Sequence, residues 1–383
     1  MLAITRRGLA VAMLTIFLAA CKVVPDAGRP GPAPGPSTET GPSEALPTDT
    51  DRHRVALLVP LSGDNAAVGR SLANATTMAL LDTNAENLRI TTYDTATGAR
   101  SAAARAIADG NKLIIGPLVR EDVAPVLAAA RPADVPLITF SNDTSVAARD
   151  VFVMGHVPEQ SVARTVSYLG AQGVKRFAAL VPNGDYGSRT EGALSQAVRG
   201  IGGSVVVVER YDRGNTSIVS AAERLKARGG YDAVLIAEGA RLSAQAATAL
   251  KAGGAQVVLL GTELWSGESS VAASAPLRGA VFSAVSDARF RQFVTSYESR
   301  FGEQPFRIAT LGYDAVLLTL RVAREWQPGR AFPTARMLGT DGFLGLDGPF
   351  RFRSDGVGER AMEVRRVGTS SVTVAEEAPA RFQ

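Results

Sequence analysis

The sequence predicts an α/β fold of two doubly wound, parallel-sheet lobes joined by hinge strands. Three observations lead there. Short β-rich apolar runs alternate with amphipathic stretches from Arg54 onward. The strands so read number seven or more, beyond the ~5–6 of one comfortable sheet. Polar breaks interrupt the alternation at Ser141–Asp150, Gly261–Ser274 and Glu325–Thr334, and three breaks imply three crossings between two lobes.

The first lobe opens with a strand at Val55–Pro60, a helix at Ala66–Glu86, a strand at Leu88–Asp94 and a helix at Gly98–Asp109. A strand at Leu113–Gly116, a helix at Glu121–Arg131 and a strand at Pro136–Phe140 follow. The pattern then repeats. Helices at Glu159–Gln172, Arg189–Ile201, Ser217–Arg228 and Ala240–Ala252 separate strands at Phe177–Val181, Ser204–Tyr211, Ala233–Ala237 and Val257–Leu260. The strands are apolar runs bounded by turn residues, as parallel strands covered on both faces should be. Placing the crossings at the polar breaks assigns 52–140 and 262–325 to lobe 1, and 141–261 and 326–383 to lobe 2. The tail 368–383 has little apolar pattern after Val374 and is expected to fray.

Ahead of this body lies an address. Arg6 and Arg7 precede an uncharged, mostly apolar run from Gly8, which ends in Leu18-Ala19-Ala20-Cys21. This is a signal-peptide layout. At 13 residues the run Gly8–Ala20 is short of the ~20 that span a bilayer. LAAC matches the bacterial lipobox, which makes 1–20 a lipoprotein signal and Cys21 the lipidated N-terminus. Lys22 stands where an Asp would signal inner-membrane retention in many Gram-negative lipoproteins, so the outer membrane is the expected destination. Residues 21–51 hold seven prolines among Gly, Ser and Thr and read as an extended spacer.

Composition excludes several classes. The formal charge is +4, from 41 Lys+Arg against 37 Asp+Glu, with no basic run, so nucleic-acid binding through a basic patch is not expected. Two histidines, His53 and His156, and the one cysteine, Cys21, cannot form a His/Cys metal centre or a disulfide framework. There is no G-x-S-x-G, P-loop, G-x-G-x-x-G, H-E-x-x-H or S-x-x-K motif. No catalytic residue, metal or cofactor is expected. His156 and Glu159 are three apart, but Pro158 between them marks a helix start rather than an acid–base pair.

In open α/β sheets, ligands lie beyond the carboxyl ends of the strands. The loops there are P60-L-S-G63, G116-P-L-V-R120, S141-N-D-T144, V181-P-N-G-D-Y-G187 and G261-T-E263. Asp94, at the end of a strand, is expected to cap the next helix.

VALLVPLSG, IIGPLVREDVAPVL, PLITFSN and ALVPNGDYGSR, in that order and spacing, resemble type I periplasmic binding proteins of the leucine-binding class. The resemblance covers about Arg54 to Arg353. Within the class, GPLVRED and the lipobox are most similar to the penicillin-binding-protein-activator lipoproteins. The resemblance implies two α/β lobes joined by three hinge strands, closing on a ligand. It places Ser62, Gly63, Leu118, Arg120, Ser141, Asn142, Thr144, Tyr186 and Glu263 in the cleft. Glu263 matches the acid that holds a ligand ammonium and Tyr186 the aromatic after the second lobe's first strand. Arg120 stands where amino-acid receptors offer a serine. It either holds a larger or more acidic ligand, as its planar fork suits, or pairs with Glu121 or Asp122 and closes the site. Tyr186 either stacks on a ligand or packs under the hinge.

The implied function is a non-catalytic, lipid-anchored regulator of penicillin-binding-protein peptidoglycan synthesis. The chain departs from the fullest members of that family, which carry a large helical domain where this one has a spacer. The alternative is a substrate-binding lipoprotein of an ABC importer, taking an amino acid or acidic small ligand. The implied partners are the membrane through the lipid, then a penicillin-binding protein or an ABC permease.

Overall fold

A computed structural model of the chain describes residues 51–214, 217–379 and 382. The signal, Cys21 and nearly all of the spacer lie outside the described residues. The first sheet is parallel throughout. It contains β1 (His53–Val59), β2 (Leu88–Asp94), β3 (Leu113–Ile115), β4 (Leu137–Thr139) and β5 (Val151–Val153), in the order β2-β1-β3-β4-β5. Between them run α1 (Ala66–Asp82), α2 (Ala99–Ala108) and α3 (Val123–Ala130). Because side chains alternate across a strand, β1 feeds two cores. Val55, Leu57 and Val59 enter one face, and Ala56 and Leu58 the other. Each large apolar side chain so buried contributes ~1.5–3 kcal/mol.

The second lobe repeats the scheme. Its elements are α4 (Pro158–Ala171), β6 (Arg176–Pro182), α5 (Asp185–Gly200), β7 (Ser204–Tyr211), α6 (Ser217–Arg228), β8 (Ala233–Ile236), α7 (Ala240–Lys251), β9 (Val258–Leu260), α8 (Ser269–Ala273) and β10 (Val281–Ala284). In β6, Phe177, Ala179 and Val181 face one core while Ala178 and Leu180 face the other. The two lobes also share a close approach. A Cβ on Gly69 of α1 would sit 1.8 Å from the Pro60 carbonyl, and one on Gly187 of α5 1.8 Å from that of Pro182. In each lobe the helix that follows the first strand starts hard against the end of that strand.

The chain then returns. After β10, α9 (Phe290–Phe301) and α10 (Thr310–Ala323) pack on α1 of the first lobe. The antiparallel strands β11 (Phe343–Gly345), β12 (Gly348–Phe352) and β13 (Gly358–Arg360) add Phe343, Phe350 and Phe352 to the first lobe's core. Finally β14 (Glu363–Val367) and β15 (Val372–Glu376) extend the second sheet antiparallel, in the order β15-β14-β10-β9-β8-β6-β7.

The crossings therefore fall at Met154–Val157, Val285–Arg289 and Ala361–Met362, not at the polar breaks. β5 belongs to the first sheet although it follows Ser141–Asp150, because three buried residues make too short a run to read as a strand. Gly261–Ser274 is a loop within the second lobe, with Trp265 and Val271 in its core, so 262–284 does not join lobe 1. Residues 343–360 stay with the first lobe, so the segment from 326 does not all join lobe 2. Through Glu376 the tail is not frayed. It is an edge strand whose mostly exposed side chains leave no apolar pattern to read.

Buried charge joins the crossings. Asp347, at the turn between β11 and β12, is fully buried. His156 Nε2 lies 2.8 Å and Thr310 Oγ1 2.9 Å from its Oδ2, Arg307 Nη1 lies 2.7 Å from its Oδ1, and Arg360 Nη1 is 3.9 Å away. Burial opposes ionisation of Asp347, but Arg307, His156 and Arg360 outweigh it and hold the carboxyl far below the usual range. Arg360 also donates to the Met154 carbonyl at 2.9 Å, and Arg365 bonds Asp287 and the Val285 carbonyl. All three crossings are thus tied to one another. Losing one member of such a buried set costs ~3–5 kcal/mol. Asp347→Ala should lower unfolding free energy by about that much in urea titrations, and a loss under ~1 kcal/mol would contradict this role.

Candidate functional site

The loops at the carboxyl ends of both sheets face each other across a cleft of about 550 Å³. The first lobe contributes Leu118 and Arg120 after β3 and Ser141, Asn142 and Asp143 after β4. The second contributes Asp185, Tyr186 and Arg189 from the start of α5 and Glu263 and Leu264 after β9. Phe306 and Arg307, just ahead of α10, complete the wall.

On the floor, Tyr186 Oη lies 2.9 Å from Thr262 Oγ1 and 3.0 Å from Glu263 Oε1. The phenol has one proton and gives it to the carboxylate, while the Thr262 hydroxyl donates back to the phenol. Glu263 is 8 % exposed, and its Oε2 is buried with no hydrogen-bond partner. Burial pushes this carboxyl up from 4.5 to about 7, against its own backbone N–H and Tyr186, which favour the anion. Burial, then the neighbouring Glu263, pushes the Tyr186 phenol well above 10. Trp265 fixes the loop beneath. It is buried, its indole N–H donates to the Glu238 carbonyl at 2.9 Å, and it fills the space where a Gly261 Cβ would lie 2.3 Å from the ring.

Three arginines span the gap, each committed to protein carboxylates. Arg120 Nη1 lies 2.8 Å from Asp143 and 3.0 Å from Asp185 of the opposite lobe, with Glu121 at 3.6 Å from its Nε. Asp122 is not among these partners. Burial alone would push Asp143 up, but the Arg120 guanidinium and Ser145 hold it at about 2. Arg189 makes a two-pronged pair with Glu159 at 2.7 and 2.8 Å and donates to the Asn142 carbonyl of the first lobe. Arg307 pairs with Asp347, reaches Ser266 at 3.3 Å, and stacks 4.4 Å over the Phe290 ring.

The profile of the periplasmic binding protein family matches residues 53–371. The chain belongs to that family. An uncharacterized protein of Rickettsia prowazekii is 32% identical over 149 residues, 38% of this chain and 39% of that protein. The penicillin-binding protein activator LpoA of Glaesserella parasuis is 26% identical over 152 residues, 39% of this chain and 26% of the activator. The chain thus matches well under half the length of these relatives. A putative branched-chain amino acid ABC transporter protein from Rhodospirillum rubrum superposes with a TM-score of 0.72 at 21% identity, covering 84% of this chain and 99% of that one. The leucine-binding protein LivK of Thermotoga maritima gives 0.66 at 20%, covering 86% and 99%. Those structures share the fold. The family acts in the periplasm or outside the cell, and among the described residues no helix is long and apolar enough to cross a membrane.

Of the positions the sequence singled out in this binding-protein body, Leu118, Arg120, Ser141, Asn142, Tyr186 and Glu263 line the cleft. Ser62, Gly63 and Thr144 do not. Ser62 donates to Asp94 at 3.3 Å, and the Gly63 carbonyl accepts from Ala66 at the start of α1. Thr144 opens a short turn capped by Asp143. Asp94 does not cap α2, whose cap position is Gly98. It accepts instead from the Leu61 N–H at 2.8 Å and the Ala96 N–H at 2.9 Å, pinning the loop after β1. His156 is held by Asp347. Sequence reasoning missed Asp185, Arg189, Leu264, Phe306 and Arg307. The signal for the first two was present, since Asp185 and Arg189 stand four apart on either side of Tyr186 at a helix start.

Glu263 gives a pH test. Between 4.5 and about 7 the folded protein keeps a proton that the unfolded chain has released. Its contribution to stability is therefore full below 4.5 and lost as pH rises through about 7. Glu263→Gln keeps an acceptor for Tyr186 and cannot ionise. In urea titrations it should match the wild type near pH 4 and exceed it by up to ~3 kcal/mol near pH 8, because each pH unit separating the folded and unfolded values is worth ~1.4 kcal/mol. Parallel curves for the two proteins across that range would contradict the buried-carboxyl assignment.

Proposed function

We propose that this chain is a lipid-anchored, non-catalytic periplasmic binding protein whose cleft receives a small polar ligand through an ammonium group on Glu263. The observation that carries the reading is the Glu263 carboxyl, on a residue lining the cleft, with one oxygen bonded to Tyr186 and the other buried and unpartnered. A buried carboxylate with a free oxygen is costly alone and becomes favourable once a cation pairs with it. The three arginine bridges support closure of the two lobes around that ligand. The match to the periplasmic binding protein family supports the non-catalytic reading.

Thermal-shift titration with α-amino acids tests this. A ligand at 100 times its Kd should stabilise the protein by ~2.7 kcal/mol, and Glu263→Ala should abolish the shift. Because the ammonium pairs with the ionised carboxyl, affinity should rise from pH 6 to pH 8. No shift with any amino acid overturns the reading.

A second reading is favoured by the matched segment of the penicillin-binding protein activator: regulation of a peptidoglycan synthase by contact. Co-purification with penicillin-binding proteins, unaffected by Glu263→Ala, would support it over the receptor. The LAAC sequence supports anchoring through Cys21, and Lys22 supports the outer membrane. Cys21→Ser should move the protein from the membrane fraction to the soluble periplasm, as fractionation would reveal.

A further inference from the structure

We propose that the ligand is a cationic amine without a free carboxylate, an amino-acid amide or alkylamine in preference to a free amino acid. This rests on the receptor reading above and names its ligand class. The cleft already supplies protein carboxylates to the cations that could receive one from a ligand.

Asp143 does so most directly. It is buried, it lines the cleft, and both of its carboxylate oxygens are engaged. Oδ1 accepts the Ser145 N–H at 2.8 Å, and Oδ2 accepts from Arg120 Nη1 at 2.8 Å. The Asp143 N–H donates to Ser141 Oγ at 3.1 Å, so the loop after β4 is folded around that carboxylate. A guanidinium and a backbone N–H converging on one point are what a ligand carboxylate would seek. Here Asp143 takes both. Burial opposes its charge, but Arg120 and Ser145 hold the carboxyl at about 2, so it is ionised throughout the neutral range.

The other positive charges lining the cleft are committed as well. Arg120 also meets Asp185 at 3.0 Å, Arg189 meets Glu159 at 2.7 Å, and His156 meets Asp347 at 2.8 Å. Arg307 leaves Nη2 without a hydrogen bond, but that atom is buried. The Arg307 charge is answered by Asp347 at 2.7 Å and Asp287 at 3.5 Å.

The unpaired charges are negative. Glu263 is 8 % exposed, has Oε2 unbonded and makes no ion pair among the described residues. Glu268, exposed on the same cleft, makes none among them either. An ammonium answers such acids, whereas a carboxylate on the same carbon adds negative charge to a cleft already short of positive. Leu264 and Phe306, 36% and 46% exposed on the cleft wall, suit an apolar body for the amine.

Calorimetric titration of the purified protein near pH 7 with L-leucine, L-leucinamide and 3-methylbutylamine tests the inference. Each carboxylate-free ligand should bind at least tenfold more tightly than L-leucine. Asp143→Asn keeps an acceptor for Ser145 and withdraws the negative charge from Arg120. L-leucine should then gain about tenfold, as a hydrogen bond to a charged group supplies, while 3-methylbutylamine gains nothing. Asp185→Asn, at an exposed position, should move L-leucine the same way by a smaller factor. L-leucine binding as tightly as the two amines overturns the inference and leaves the receptor reading standing. A preference for the amines that both variants leave unchanged overturns the role given to Asp143 and Arg120. If none of the three binds, the receptor reading fails and this inference with it.

Discussion

Asp347 is where the molecule is held together as a two-lobed object. A carboxylate fully removed from water needs positive charge and hydrogen-bond donors around it, and each group that answers comes from a different pass of the chain. His156 belongs to the first crossing, Arg307 to the segment entering α10, and Arg360 to the end of β13, just ahead of the last crossing. The geometry of the cleft follows, because the loops at the carboxyl ends of the two sheets face each other only while the crossings keep their places. Asp314 of α10 completes the arrangement by accepting the Leu346 N–H at 2.6 Å, which seats the turn that carries Asp347.

The cleft built on this frame is rich in charge yet nearly neutralised by its own protein. The arginines that span it are bound to aspartates and glutamates, so they hold the lobes together more than they offer themselves to a ligand. Glu263 differs. It shares one oxygen with Tyr186 and keeps the other buried and unbonded, on a residue that lines the cleft. Its burial depends on Trp265 beneath the loop and on Gly187, whose missing Cβ lets α5 press against β6 and bring Tyr186 within reach.

Much of this was legible in the residues. β2, β7 and α6 begin and end where the sequence places them, because each is a β-rich run or a period-3.6 stretch bounded by turn residues. α1 stops four residues short of its apparent end, where Asn84 turns left-handed at φ 47°. The crossings were not legible. They are set by which sheet a three-residue strand such as β5 joins, a matter of packing that leaves no local pattern. Edge strand β15 was hidden because its mostly exposed side chains obey no burial rule. At the site, Tyr186 and Glu263 could be placed from their loops. Arg307 and Phe306 could not, since they reach the cleft from a segment distant in sequence. Arg120 posed a choice between ligand and neighbour that was decided by Asp143 and Asp185, each on another loop.

The most direct test of the Glu263 assignment is its own titration, followed through the side-chain carboxyl carbon by NMR in the free protein and in the presence of a saturating amine ligand. The expected result is a midpoint near 7 in the free protein, moving down as the ammonium pairs with the carboxylate. A midpoint near the ordinary 4.5 in the free protein, or one that stays still while ligand binds elsewhere, would contradict the assignment of Glu263 as the ligand's anchor.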